Sequence, residues 1–135
     1  MSYETFLYQP VTADLSMPYV RVRLRYAKAA VDAWALADTG AEVNVLPHRV
    51  GVQLGLDWKD FPIGPKLGGN AGGETRVVAI DCTFGKFNAV PLRFCWMDND
   101  NVRILLGHQD FFEKFVAFFD SRNKEFSIQK HAEPS

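Results

Sequence analysis

The stretch Ala35-Leu36-Ala37-Asp38-Thr39-Gly40-Ala41 decides how this sequence is interpreted. It places a carboxylate, that of Asp38, directly after an apolar run over residues 30–37 that predicts a buried strand. Because a lone charge resists burial, other groups must compensate this carboxylate. Thr39 offers a hydroxyl for a hydrogen bond, and Gly40 allows another group to approach closely because it has no side chain. A plain turn would also tolerate Asp-Thr-Gly, so the tripeptide alone is a weak signal.

The composition indicates one β-rich domain. The chain has 135 residues, and 47% of them are hydrophobic, including eleven Phe, three Trp and four Tyr. This length suits a single domain, which we expect to span residues 1–135. Much of the chain consists of short apolar runs separated by Gly, Pro and Asn, a pattern typical of strands rather than helices. The fold class predicted from the sequence is therefore all-β.

Charge, hydropathy and cysteine spacing exclude several classes of partner. The net charge is −1, so no strong field for nucleic acid is expected. No uncharged apolar run approaches ~18 residues, and the N-terminus lacks the pattern of a secretion signal. We therefore expect a soluble, cytoplasmic protein without a membrane partner. Cys82 and Cys95 lack zinc-ligand spacing, which indicates no metal. We favour buried free thiols for the pair, with a disulfide left open.

The apolar periodicity and the turn residues divide the chain into short elements. A glycine-rich segment, residues 68–73, lies between two apolar arms and predicts a hairpin with a flexible tip. The full set of predicted elements is strands over residues 19–26, 30–37, 84–94 and 102–106, hairpins over 66–80 and 115–128, and short helices over 47–55 and 110–116.

Three of these segments, in this order, resemble the retropepsin-like aspartic proteases. They are the Asp38-Thr39-Gly40-Ala41 motif behind its apolar strand, the glycine-rich hairpin, and Ile104-Leu105-Leu106-Gly107 before a helical stretch. The hairpin looks like the flap of that family, and the last segment is similar to its apolar-apolar-Gly segment. The resemblance covers most of residues 19–128, which would form the core of the domain. The combination is fairly specific, whereas none of the three segments would be so alone.

The resemblance implies a closed, β-barrel-like acid protease fold with one or two short helices, active as a homodimer without a metal or cofactor. Each subunit would contribute one catalytic residue, Asp38, from a loop that continues through Thr39, Gly40 and Ala41. Leu106 and Gly107 would support this loop from behind. A peptide or protein substrate would be held by Glu42 and by the flap residues Gly68, Gly69, Asn70, Ala71, Gly72 and Gly73.

Electrostatics explain why such a site needs two subunits. The chain contains a single Asp-Thr-Gly, whereas peptide hydrolysis by this route needs an acid and a base together. Two carboxylates ~3 Å apart repel by roughly 5 kcal/mol at an effective dielectric constant of ~20. They therefore share one proton, which leaves one carboxylate as base and one carboxyl as acid, the established arrangement in aspartic protease dyads.

The sequence also departs from the retroviral members of the family. His108 stands where they commonly have Arg, and Glu42 stands where they often have Asp. We interpret His108 as structural rather than catalytic. A second hypothesis also fits the motifs: a catalytically silent domain of the same fold that dimerises or binds peptides without cutting them.

Overall fold

The computed structural model describes residues 2–68 and 72–132. Strands dominate it, which confirms the all-β prediction, and its helices are short. In these segments no helix is both long and apolar enough to cross a membrane. The helical elements are α1 (His48–Gln53), α2 (Phe111–Lys114) and a single 3₁₀ turn (Trp58–Asp60). The strands are β1 (Tyr3–Leu7), β2 (Gln9–Pro10), β3 (Ser16–Met17), β4 (Tyr19–Tyr26), β5 (Ala29–Ala37), β6 (Asn44–Leu46), β7 (Thr75–Phe84), β8 (Val90–Met97), β9 (Ile104–Leu106), β10 (Phe115–Asp120) and β11 (Glu125–Lys130).

Six strands close into a barrel, in the order β4-β5-β9-β6-β8-β7, and the prediction of a closed barrel is confirmed. Two of its pairs, β5 with β9 and β6 with β8, are parallel, and the other neighbours are antiparallel. The parallel pair β5–β9 brings the chain that follows Ala37 beside the chain that follows Leu106. This pairing positions the Asp38 turn.

The barrel core follows from the two-residue period of its strands. In β4, Val20, Val22 and Leu24 point inward and are at most 1% exposed, while the intervening arginines face solvent. Strand β5 alternates in the same way over its first six residues and is continuously buried only over residues 35–37. The sequence prediction of burial along the whole strand is wrong because Asp32 and Trp34 lie on the outer face, where Asp32 pairs with Arg23.

The prediction of one strand over residues 84–94 is wrong, because the chain reverses direction within this segment. Strand β7 ends at Phe84, and β8 begins at Val90 and runs back antiparallel to β7. Gly85 adopts a left-handed φ of 51°, which glycine tolerates without strain, and the amide of Phe87 donates to the carbonyl of Phe84. The apolar Phe87 hides this turn in the sequence.

A second sheet, of order β1-β11-β10, packs its inner face on the barrel. Phe115, Phe126 and Ile128 from this sheet are at most 1% exposed and join the same core as the barrel residues. The sequence predicts the β10–β11 hairpin but not β1, which pairs Phe6 opposite Phe126 across the sheet. The N-terminal segment is thus joined to the C-terminal hairpin.

Gly51, in helix α1, allows a test of how tightly this helix packs against the buried ring of Trp96. A Cβ built on Gly51 would lie 2.2 Å from the Cε2 atom of Trp96, which is 1% exposed. Gly to Ala in a helix ordinarily adds stability, but this contact forces the buried ring to move. We expect Gly51→Ala to lower the free energy of unfolding by about 1–3 kcal/mol, measured by denaturant unfolding.

Gly68→Ala is the matched control, because no described heavy atom lies within 4 Å of the Cβ that it would add. A Gly51→Ala protein as stable as the Gly68→Ala protein would contradict this description of the packing.

Candidate active site

The Asp38 turn begins where β5 leaves the barrel. The amide of Asp38 donates to the carbonyl of Leu106 at 2.9 Å, which continues the β5–β9 pairing by one residue. The amide of Ala41 then donates back to the carbonyl of Asp38 at 3.0 Å and closes a tight turn. Both the backbone amide and the backbone carbonyl of Asp38 are therefore hydrogen-bonded.

Asp38 as a residue is half-buried, and its carboxylate accepts a hydrogen bond from inside its own turn. The amide of Gly40 donates to Asp38 Oδ1 at 2.9 Å. A Cβ on Gly40 would lie 3.2 Å from the same oxygen, a tighter contact than side chains normally make. Thr39 and Gly40 are exposed, so the tip of the turn faces outward on a single subunit.

The segment after β9 runs alongside the segment after the turn. The amides of His108 and Gln109 donate to the carbonyls of Ala41 and Glu42, at 3.0 and 2.9 Å. Gly107 makes this approach possible, because a Cβ there would lie 2.4 Å from the carbonyl oxygen of Val43. Leu106 and Gly107 are thus brought into contact with the active-site turn.

A buried amide side chain ties these two segments to a third. Asn44 is 0% exposed, and its Oδ1 accepts from the amide of Gly107 at 2.7 Å. Its Nδ2 donates to the carbonyl of Arg93 and to Oδ1 of Asp110, both at 3.0 Å. Asp110, 3% exposed, also accepts from the amide of Arg93 at 3.1 Å and from its Nε at 3.2 Å.

Sequence reasoning missed Asn44, Arg93 and Asp110. The signal for Asn44 was a single polar residue between the apolar Val43 and Val45, because a polar group in a buried run needs dedicated partners. No such signal marks Arg93 or Asp110, since each resembles an ordinary surface charge next to a strand or helix.

The ring of His108 reaches the tip of the active-site turn. Its Nε2 lies 2.6 Å from the carbonyl oxygen of Thr39, and the ring packs against Phe112 with centroids 5.4 Å apart. The interpretation of His108 as a structural residue agrees with these contacts. No spacing rule in the sequence links positions 39 and 108.

The glycine-rich hairpin is present, and its arms are paired. Leu67 and Gly73 exchange backbone hydrogen bonds of 3.1 and 3.0 Å. Gly68 is exposed and Gly72 is half-buried, while the predicted site residues Gly69, Asn70 and Ala71 lie outside the described residues. The second arm is fastened to the turn after β8, where Nδ2 of Asn99 donates to the carbonyl of Gly72 at 3.3 Å.

A cavity of about 150 Å³ opens between the hairpin arms, β8 and the segment after the active-site turn. Its walls are mainly apolar, and it is lined by Val43, Pro65, Val77, Arg93, Phe94, Cys95 and Gln109. Glu42 lies next to Val43, and its side chain is exposed. The predicted substrate-binding residue Glu42 is not among the residues that line this cavity.

Both cysteines are buried and free, which confirms the favoured sequence interpretation and excludes the disulfide. Burial raises the pKa of the Cys82 thiol. Burial also raises the pKa of Cys95, against a smaller opposing effect from the Thr75 hydroxyl. Both thiols stay protonated at neutral pH and are poor nucleophiles.

Comparison with known proteins identifies the fold. No model of a protein family matches the sequence, and no curated protein matches it. Among solved structures, the chain is similar to a retropepsin-like aspartic protease from Rickettsia conorii, with a TM-score of 0.63 and 17% sequence identity. The similarity covers 94% of this chain and 92% of that chain. The protein therefore has the retropepsin-like fold.

Replacing the buried Asn44 amide tests the frame of the site. Asn44→Ala removes the partner of the Gly107 amide and leaves the Arg93 carbonyl and Asp110 with fewer donors. We expect the free energy of unfolding to fall by about 2–4 kcal/mol, because buried polar groups lose their hydrogen bonds.

The control for this substitution is Asn88→Ala, at an exposed position in the turn between β7 and β8. We expect it to change the unfolding free energy by less than about 0.5 kcal/mol. Equal stability of the two variants in denaturant unfolding would show that the Asn44 contacts contribute little.

Proposed function

We propose that this chain is one subunit of a homodimeric aspartic endopeptidase of retropepsin type, with Asp38 as its catalytic residue. The observation that supports this most strongly is the position of Asp38, which follows the buried end of a barrel strand and has its carboxylate bonded to the Gly40 amide. The surrounding fold is similar to that of a retropepsin-like aspartic protease. The turn bond alone is common in surface aspartates, so the turn, the strand and the fold support the proposal only together.

The proposed enzyme needs a second copy because one chain supplies one half of the acid–base pair. Among the described residues, no carboxylate or carboxyl side chain hydrogen-bonds to Asp38. The exposed tip formed by Thr39 and Gly40 leaves room for the same turn of a partner subunit. Closed twofold dimers bring identical residues together at their axis, so each subunit would contribute its own Asp38. The Thr39 hydroxyls would then hydrogen-bond across the axis.

The mechanism uses the shared proton of the paired carboxylates. The ionised Asp38 takes a proton from a water molecule while the water oxygen attacks the scissile carbonyl carbon. The protonated Asp38 of the other subunit polarises the carbonyl oxygen and gives its proton to it. In the second step the proton that the first Asp38 took from water passes to the amide nitrogen, and the carbon–nitrogen bond breaks. One hydroxyl of the intermediate returns its proton to the other Asp38, so a carboxylic acid and an amine leave and the pair again holds one proton. No bound cofactor is needed for either step.

The substrate we propose is an extended peptide held under the glycine-rich hairpin. Gly68, Gly72 and Gly73 belong to a hairpin that would close over the peptide as a lid and exclude water. Glu42 would contact the peptide backbone from below. The cavity lined by Val43, Val77 and Phe94 would accept an apolar side chain of the peptide.

Cleavage of a diverse peptide mixture by wild type and Asp38→Asn tests this proposal. We expect the substitution to lower cleavage by about 10³-fold or more, because asparagine can neither accept nor return the proton. Mass spectrometry of the products across acidic to neutral pH would measure the loss and identify the cleaved bonds.

Asp32→Asn is the matched control, since Asp32 is an exposed aspartate on β5, the strand that leads to Asp38. It loses only its 2.8 Å ion pair with Arg23, and exposed pairs of this kind contribute little. Activity that survives Asp38→Asn would overturn the assignment of Asp38. If wild type also fails to cut while folded and dimeric, the silent peptide-binding or dimerisation domain becomes the better account.

A further inference from the structure

The peptide group between Thr39 and Gly40 has a hydrogen-bond partner at each end. Its N–H, on Gly40, donates to Oδ1 of Asp38 at 2.9 Å. Its C=O, on Thr39, lies 2.6 Å from Nε2 of His108. Because a peptide group is planar and rigid, fixing the direction of its carbonyl also fixes the direction of its N–H.

His108 is itself held in place by the neighbouring segments. Its amide donates to the carbonyl of Ala41, so its main chain contacts the end of the turn and its ring contacts the tip. Phe112 supports the ring from α2. The flanking amides of Gly107 and Gln109 are bonded to Asn44 and Glu42. The main chain of His108 is therefore fixed by the segments beside it, while its ring and the Thr39 carbonyl meet at the exposed tip of the turn.

The chemistry of the contact fixes which atom carries the hydrogen. A carbonyl oxygen only accepts hydrogen bonds, so Nε2 of His108 must be the donor. Among the described backbone and side-chain groups, His108 Nε2 is the donor to this carbonyl. Without it, the exposed peptide could rotate and direct the Gly40 amide away from the carboxylate.

We propose that His108 is a positioning residue: through the Thr39–Gly40 peptide, it orients and polarises the amide that donates to Asp38. A hydrogen bond to the carbonyl end of a peptide strengthens the donor at its N–H end, so the two bonds support each other. His108 touches neither substrate nor the reacting atoms. This inference rests on the proposed function for its catalytic consequence, but not for the contact itself.

Two substitutions separate the donor from the bulk of the ring. His108→Phe keeps an aromatic ring against Phe112 and removes the donor. His108→Gln removes the ring and returns an N–H donor at a similar distance from the main chain. For His108→Phe we expect kcat to fall about tenfold while KM stays within about twofold of the wild-type value. Both variants are measured at a protein concentration at which the chain is fully dimeric. We expect His108→Gln to recover kcat to within about threefold of wild type.

A second readout does not need activity. Amide hydrogen exchange of Gly40, followed by NMR, should speed up about tenfold in His108→Phe and stay near the wild-type rate in His108→Gln. The Asp38 amide, bonded to Leu106 in the strand pairing, is the internal reference and should not change. In wild type, the ¹⁵N spectrum of the His108 ring should show a proton on Nε2.

The outcomes distinguish this proposal from the proposed function. Unchanged Gly40 exchange in His108→Phe, a ring with its only proton on Nδ1, or a His108→Gln variant as impaired as His108→Phe would overturn the positioning role. If wild type cuts no peptide, the proposed enzyme activity fails, and the exchange and ¹⁵N measurements still decide the role of His108. If His108→Phe does not fold, His108→Gln and the wild-type spectrum decide it.

Discussion

The buried carboxamide of Asn44 connects the three segments from which the site is built. Its oxygen and nitrogen meet the chain after β9, the start of α2 and strand β8 at one point inside the protein. A primary amide can do this because it offers an acceptor and two donors in one plane. Without Asn44, the buried amide of Gly107 would lose its hydrogen-bond partner, which is costly. The positions of Gly107 and His108, and through them of the Asp38 turn, depend on this arrangement.

The chain presents one carboxylate, that of Asp38, at an exposed turn. A single chain therefore offers only one of the two groups, acid and base, that peptide hydrolysis by this route needs. Asp38 accepts the Gly40 amide at one oxygen, and Thr39 and Gly40 remain open to a partner. A lone carboxylate can act as a base but cannot also hold the proton that the leaving amine needs. In the proposed dimer, a second subunit would supply the missing acid, because two adjacent carboxylates keep one proton between them. The surrounding fold would then present Asp38 to the same residue of the partner subunit.

Much of the fold could be predicted from local patterns, whereas the contacts that hold the site could not. Alternation along β4 and the glycine-rich hairpin follow from neighbours in sequence, and the Asp38 motif is visible because a charge ends an apolar run. The turn at Gly85 was missed because Phe87 continues the apolar pattern. The Asn44–Asp110 and His108–Thr39 contacts join positions 66 and 69 residues apart. Such pairings depend on how parallel strands bring distant loops together, and no spacing rule encodes them.

Mixing subunits tests most directly whether two copies of Asp38 form one active site. Wild type at constant amount would be co-refolded with increasing amounts of the Asp38→Asn chain, and peptide cleavage would be measured at each ratio. If each site needs an aspartate from both subunits, an equal amount of variant lowers activity to about half, and a large excess lowers it towards zero, because random pairing leaves few dimers with two aspartates. Activity that stays constant at every ratio would contradict the account, since one subunit would then be sufficient for catalysis.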